Sequence, residues 1–170
     1  MNAMHDELTE VDIRKMKEEI RYREEELMPK ILQDVQVARS FGDLSENFEY
    51  KAAKAEQRKN MSRIRYLKGM VASAVVIGTD SAADKAGLFD TVVLFMEDEQ
   101  EEMTIRLVTT LRQNALQGLI SKESPLGKAV MGHGVGERVY VKVSDDYGYW
   151  CSIRSVTKGE DDESLAISRF

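Results

Sequence analysis

The residues best suited to chemistry are two carboxylates, Asp43 and Glu46, in the short segment Gly42-Asp43-Leu44-Ser45-Glu46-Asn47. Hard divalent cations such as Mg2+ prefer oxygen ligands, and their sites often combine one or two carboxylates with water and phosphate oxygens. Two carboxylates alone make an incomplete site. They become a useful half-site when another protein supplies the remaining ligands, as in phosphodiester hydrolysis, where a metal ion activates a water molecule.

The same residues also fit a purely structural role. Gly42 is the residue type expected just past the end of a helix. Asp43, followed three residues later by Glu46, has the spacing of a capping box at the start of the next helix. Such caps are more common than metal sites, so the residue types alone leave both interpretations open.

A second candidate set is basic. Lys51, Lys54 and Arg58 are three and four residues apart, so a helix would place them on one face close to the acidic segment. Glu49 and Glu56 provide local counter-charges, which fits an ordinary solvated face. Contact with the phosphates of a nucleic acid is the alternative interpretation.

The acidic segment lies between two stretches with a helical pattern. Residues 8–41 and 46–73 each carry one narrow apolar stripe flanked by charged residues. Pro29 interrupts the first stretch, so we expect a kink or two consecutive helices there. Two narrow stripes joined by a short turn bury each other, which predicts an antiparallel helical hairpin with the acidic segment at its tip. The stripe residues are Ile13, Met16, Ile20, Leu27, Ile31, Val35 and Ala38, and then Ala52, Ala55, Ile64, Leu67 and Val71.

Short β-like runs separated by turn residues replace the helical pattern in the second half of the chain. Ser124 followed by Pro125 predicts a short helix that serine caps. We therefore expect a two-domain α+β protein, with a helical-hairpin coiled coil over residues 1–74 and a small, mainly antiparallel sheet domain over residues 75–170. The predicted strands cover residues 71–77, 91–96, 103–108, 138–143 and 149–156.

Composition excludes several classes of function. The 170-residue chain has a net charge of −6, which argues against general nucleic-acid binding through a basic excess. The longest apolar run, residues 71–77, is too short to span a bilayer, and no secretory signal is visible, so a cytoplasmic location without a membrane is the default expectation. Cys151 has no second cysteine to pair with, and the two histidines, His5 and His133, are too separated to indicate a zinc site.

Two segments of the chain closely resemble a known family. The run from Ala38 to Lys54, which contains Gly-Asp-Leu-Ser-Glu-Asn followed by Phe-Glu-Tyr, resembles the tip of the bacterial Gre transcript-cleavage factors, the GreA/GreB family. Leu119-Ile120-Ser121, then Ser124 to Ala129 and Gly132, are similar to the C-terminal signature of that family. The similarity covers nearly the whole chain, and the motifs occur in the same order.

The resemblance implies a non-enzymatic, monomeric partner of bacterial RNA polymerase, closer to GreA than to GreB. Its coiled coil would enter the secondary channel of the polymerase, where Asp43 and Glu46 would help to hold a Mg2+ ion shared with the polymerase and not bound stably by the factor alone. The polymerase would then cleave its own backtracked transcript near the 3′ end. Leu44, Asn47 and Tyr50 would shape the tip, and Lys51, Lys54 and Arg58 would contact the RNA.

The same resemblance implies that residues 75–170 form an FKBP-like domain that docks on the rim of the channel. Its docking residues would be Ser121, Ser124, Pro125, Leu126 and Gly127.

Other interpretations remain open. A Gre-like channel binder could inhibit or modulate the polymerase without promoting cleavage. The FKBP-like half could be a peptidyl-prolyl isomerase, although a fold alone does not establish an activity, and the hairpin could be a plain coiled-coil scaffold. Residues 97–115 match the family poorly, and residues 164–170 extend beyond many members and could add an edge strand. An exposed Trp150 would indicate a contact surface.

Overall fold

The computed structural model describes residues 7–42 and 47–169, which form two compact units. One unit, the hairpin unit, consists of residues 13–74. The other, the sheet unit, combines residues 7–12 with residues 75–169. The hairpin unit ends at residue 74, as the predicted hairpin domain does, but residues 7–12 belong to the sheet unit, because residues 7–8 pair with residues 75–76.

The hairpin unit is built from three α-helices: α1 (Glu10–Tyr22), which belongs to this unit from residue 13 onward, α2 (Met28–Arg39) and α3 (Phe48–Ser73). A π-helical segment, Arg23–Leu27, connects α1 to α2. The interruption predicted at Pro29 therefore takes the form of a π-helical segment, with the proline in the first turn of α2.

The start of α3 is capped by a residue that the sequence did not single out as a cap. Asn47 is the N-cap residue, and its side-chain oxygen accepts a hydrogen bond from the backbone N–H of Tyr50 at 2.9 Å. The capping box expected at Asp43 and Glu46 lies outside the described residues. Asparagine competes well with aspartate for this position, so residue type alone could not choose between the two.

The apolar stripes of the hairpin unit meet as predicted over most of their length. Buried stripe residues include Ile31, Val35 and Ala38 on α2 and Ile64 and Leu67 on α3, where Met70 is buried in place of the predicted Val71, which is half-buried. Ala52 and Ala55 were also predicted on the stripe, but both are exposed. The two methyl groups bury too little area to fix which face of the helix turns inward.

The sheet unit contains one short and one larger sheet. Strands β1 (Glu7–Leu8) and β2 (Val75–Val76) pair in parallel. The larger sheet has the order β5-β4-β3-β7-β6, with antiparallel neighbours except for the parallel pair β4–β5. Its elements are β3 (Thr91–Met96), β4 (Glu101–Val108), β5 (Leu119–Ser121), β6 (Arg138–Lys142) and β7 (Gly148–Thr157), with helix α4 (Pro125–Val130) between β5 and β6.

Alternating side chains build the core of the sheet unit. Val139 and Val141 of β6 point inward and are buried, whereas Arg138, Tyr140 and Lys142 alternate with them on the other face. The inward residues join a core that includes Leu94, Ile105, Leu107, Val130, Cys151 and Ile153. The predicted two-domain α+β fold with a mainly antiparallel sheet is confirmed.

Two local predictions need correction. The expected strand over residues 71–77 is helical up to Ser73 and extended only at Val75–Val76, because Met70 continues the buried stripe of α3. Residues 164–169 form no edge strand in the described chain. Instead, the backbone N–H of Ser168 donates to the carbonyl of Leu111 at 2.7 Å.

A buried ion cluster anchors the irregular segments of the sheet unit. Arg112 is 1% exposed, and its Nε donates to Asp12 at 2.6 Å while its Nη2 pairs with Asp161. The carbonyl of Asp162 accepts a further hydrogen bond at 2.9 Å. Asp12 also accepts from the backbone N–H of Thr9 at 3.0 Å, so one carboxylate caps α1 and neutralises the arginine.

Within the described chain, no helix combines the length and the apolar character needed to cross a membrane.

Candidate functional site

Two pairs of residues at the tip segment, residues 42–47, join α2 to α3. The amide nitrogen of Asn47 donates to the carbonyl of Ala38 at 2.6 Å, while the amide oxygen caps α3. Arg39 donates to the hydroxyl of Tyr50 at 3.4 Å, and its guanidinium carbon lies 5.6 Å from the centre of the tyrosine ring. We call these four residues the tip clasp. They hold together the two ends of the segment that carries Asp43 and Glu46.

The tip clasp also perturbs one titratable group. The hydrogen bond from Arg39 lowers the pKa of the Tyr50 hydroxyl, and the positive charges of Arg39 and Lys54 act in the same direction. The sequence predicted a shaping role for Asn47 and Tyr50, and the structure gives each of them a specific partner. Arg39 was not singled out, because an arginine eleven residues before a tyrosine is not a recognisable motif.

The metal-ligand candidates Asp43 and Glu46, together with Leu44, lie outside the described residues. Their donor chemistry fits Mg2+, because both side chains offer hard carboxylate oxygens. Among residues 7–42 and 47–169, no group of three or more His, Cys, Asp or Glu side chains could hold a metal ion. Gly42, the last described residue before the gap, has a φ of +112°, a conformation that glycine adopts without strain.

The predicted basic residues follow the tip clasp along α3. Lys51 and Arg58 are exposed, whereas Lys54 is half-buried and donates to the side-chain oxygen of Gln57 at 3.1 Å. The ammonium of Lys51 lies 5.7 Å from the centre of the Phe48 ring. All three cations therefore occupy the first three turns of the helix, next to the tip segment.

A set of polar contacts, which the sequence did not predict, joins the helices of the hairpin farther from the tip. We call the residues that make these contacts, Glu19, Arg23, Asn60 and Arg63, the polar seam. Asn60 is buried, accepts from Arg23 at 2.9 Å and donates to the carbonyl of Arg23 at 3.2 Å. Arg63 donates to Glu19 at 2.7 Å. Burial alone would raise the pKa of Glu19, but the hydrogen bonds and charges of Arg63 and Arg23 outweigh it and lower that pKa. A buried asparagine in a coiled coil is a known device for fixing helix register.

The second candidate surface surrounds the N-terminus of α4. Ser124 is the N-cap: its hydroxyl accepts from the backbone N–H of Gly127 at 3.0 Å and donates to the carbonyl of Ser121 at 2.7 Å. Ser121 and Leu126 are buried, and a Cβ atom at Gly127 would overlap the carbonyl of Ser121. Pro125 is exposed. The predicted docking residues thus lie together, but several of them shape the turn and do not present side chains to solvent.

A shallow groove of about 350 Å3 lies beside this turn. Half-buried apolar side chains, including Ile120 and Tyr149, line it together with Ser124 and Pro125. Leu116 lies nearby in sequence and is fully exposed. The groove is therefore a mainly apolar surface at the end of the sheet unit.

Comparison with protein families assigns both units. A family model described as "Transcription elongation factor, N-terminal" matches residues 7–76. A second model, "Transcription elongation factor, GreA/GreB, C-term", matches residues 81–158. Together they place the chain among transcription elongation factors.

Individual relatives agree with this class. The transcription elongation factor GreA of Chelativorans sp. (strain BNC1) is 42% identical over 127 residues, which cover 74% of this chain and 81% of the relative. GreA of Brucella canis is 38% identical over 128 residues, covering 75% and 82% of the two chains. The chain therefore belongs to the GreA/GreB family of transcription elongation factors, as the tip and C-terminal motifs predicted.

GreA factor homolog 1 (Gfh1) of Thermus thermophilus aligns with a TM-score of 0.41 at 21% identity, covering 89% of this chain and 98% of that chain. A GreA/GreB factor of Nitrosomonas europaea aligns with a TM-score of 0.39 at 21% identity, covering 63% and 92%.

Proposed function

We propose that this protein is a transcript-cleavage factor that acts on RNA polymerase. The hairpin unit enters the secondary channel of the polymerase and presents Asp43 and Glu46 to the polymerase active site. The sheet unit docks on the rim through the surface around Ser124 and Pro125. The observation that carries the proposal is the tip clasp, which holds the ends of a carboxylate-bearing segment at the turn of a two-helix hairpin in a chain of the GreA/GreB family.

The two carboxylates suit a shared metal ion. Mg2+ held jointly with the polymerase would polarise a water molecule and stabilise the leaving oxygen of the RNA. The factor itself is then an accessory protein, because the polymerase supplies the remaining ligands and positions the scissile phosphodiester. Lys51, Lys54 and Arg58 lie next to the tip and favour contact with the phosphates of the backtracked RNA.

The direct test uses a stalled, backtracked elongation complex made with purified polymerase and end-labelled RNA. Wild-type protein should accelerate cleavage. With the double variant Asp43→Asn/Glu46→Gln, the cleavage rate should be at least about 100-fold lower than with wild type, since metal-assisted charge stabilisation contributes several kcal/mol. The double variant should bind the complex as wild type does. Product lengths also distinguish the short fragments expected of a GreA-like factor from longer ones.

A matched control is available on the same hairpin. Asp34 is an exposed acid on α2, and Asp34→Asn changes the charge without touching the tip. This variant should stimulate cleavage as wild type does. If the double variant keeps full activity, the proposed role of the tip acids is wrong; if wild type binds and slows the polymerase without cleavage, the protein is a modulator instead.

A further inference from the structure

Two phenylalanines flank the tip segment, and both are open to solvent. Phe41 follows α2 and is 67% exposed, and Phe48 begins α3 and is 80% exposed. They are the most exposed large apolar side chains in the described part of the hairpin unit. Packing does not explain either ring, and neither side chain is needed for the hydrogen bonds of the tip clasp. A pair of exposed rings at one end of a coiled coil is therefore a candidate contact surface.

A positive charge lies beside the second of these rings. The ammonium of Lys51 lies 5.7 Å from the centre of the Phe48 ring, and Lys54 and Arg58 follow along α3. The ion pairs that α3 makes within residues 7–42 and 47–169 lie farther from the tip, at Arg63 and Lys68. Lys51 and Arg58 are exposed and make no ion pair within these residues, while Lys54 donates to the neutral side chain of Gln57.

This combination favours single-stranded nucleic acid over an apolar protein pocket. Proteins bind single strands by stacking bases on aromatic rings while basic side chains contact the phosphates. An apolar pocket that covered Phe48 would also have to cover the ammonium of Lys51, and burial of an unpaired charge is costly. A phosphate next to a stacked base would neutralise that charge instead.

We propose that Phe41 and Phe48 form a stacking surface for unpaired bases of the backtracked RNA 3′ segment, with Lys51 on an adjacent phosphate. This inference rests on the proposed function, which brings the hairpin tip to that segment. It adds base contacts to the phosphate contacts assigned to the basic residues, and it makes the rings determinants of how firmly the factor engages extruded RNA.

The test separates stacking from simple apolar contact. Phe48→Leu keeps an apolar side chain without a ring, whereas Phe48→Tyr keeps the ring, and the same pair can be made at Phe41. Affinity for a backtracked complex is measured by biolayer interferometry, with RNA whose extruded 3′ nucleotides are either normal or abasic. Loss of one stacked base should weaken binding about tenfold.

The expected pattern is specific. Phe48→Leu should weaken binding to the complex with normal RNA, Phe48→Tyr should bind as wild type does, and abasic RNA should remove the difference between wild type and Phe48→Leu. Leu32→Ala is the control, because Leu32 is a 44% exposed apolar residue on α2 away from the tip. It should have no effect with either RNA.

Three outcomes would overturn the inference. Equal binding by wild type and the leucine variants shows that the rings contribute nothing. An equal loss with normal and abasic RNA shows that they contact the polymerase and not the bases. Wild-type protein that does not bind the complex removes both the inference and the proposed function. Wild-type protein that binds but does not stimulate cleavage contradicts the proposed function alone, since the affinity comparison still decides whether the rings stack on RNA.

Discussion

The hairpin unit and the sheet unit both bury charged side chains, but in different surroundings. In the hairpin unit, Arg63 and Glu19 are 9% and 25% exposed and lie along the seam between helices. In the sheet unit, Arg112 and Asp12 are both fully buried, and Arg112 joins the first turn of α1 to the irregular C-terminal segment around Asp161. A partly hydrated seam loses less solvation free energy on burial than an enclosed ion pair does.

The different surroundings of these buried charges match a different structural requirement in each unit. The hairpin needs a single helix register, since a slip of α3 against α2 would move the residues of the tip clasp apart. Polar pairs such as Asn60 with Arg23 favour one register over others. The sheet unit needs its N-terminal and C-terminal segments held in place, and Arg112 contacts both of them through Asp12 and Asp161.

The largest expected effect tests the buried cluster of the sheet unit. Arg112→Met should lower the free energy of unfolding by about 3–5 kcal/mol, because two carboxylates lose their buried counter-charge. Chemical denaturation of the purified protein measures this change. Arg138→Met is the control, since Arg138 pairs with Glu97 at 2.6 Å on the surface and should matter much less. Similar losses in the two variants would contradict the distinction.

The next effect compares one glycine from each unit. Gly127→Ala should destabilise the protein by about 1–3 kcal/mol, because the new Cβ overlaps the carbonyl of Ser121 in a close-packed turn. Gly69→Ala should instead stabilise it by about 0.5–1 kcal/mol, since Gly69 lies inside α3 with open space around its Cα. Thermal unfolding monitored by circular dichroism gives both values. Shifts of the same sign would be inconsistent with these environments.

The two units also differ in how well sequence patterns predicted them. In the sheet unit, four predicted strands and the predicted helix are present in the structure. Patterns such as alternation predicted them correctly, as for the inward-facing Val139 and Val141 of β6. Strand β1 was missed, because two residues carry no periodicity. The partners of Arg112 were missed as well, because Asp12 and Asp161 are far away in sequence, and only the tertiary fold brings them together.

In the hairpin unit the long apolar stripes predicted the helices, but local details were beyond the pattern. Asp43 and Asn47 are both good cap residues, so the choice of Asn47 depends on its second bond to Ala38. The roles of Arg39 and of the exposed Phe41 and Phe48 depend on the geometry at the tip. The sequence motif identified the tip segment, and the structure adds the side chains around it.

A smaller effect is expected at the tip clasp. Asn47→Ala removes the N-cap of α3 and the bond to Ala38, and should cost about 1 kcal/mol of stability. Asn47→Asp keeps a cap acceptor but loses the donor to Ala38, so it should recover part of the loss. Denaturant unfolding separates the two variants. Equal stability of wild type and Asn47→Ala would mean that the clasp contributes little to the fold.

The smallest expected effect is the pH dependence of the stability that the polar seam contributes. The pKa of Glu19 lies below its ordinary value of 4.5, because Arg63 and Arg23 outweigh the opposing effect of burial. The folded state therefore favours the ionised carboxylate, and its contribution is fully present above pH 4.5 and is lost as the pH falls through the lowered pKa. Glu19→Gln should be less stable than wild type near neutral pH, and the gap should narrow below pH 4.5 as wild type loses the ion pairs. Unfolding free energies of both proteins measured across this range isolate Glu19 from the other acids, and a gap that stays constant would show that the seam does not depend on this charge.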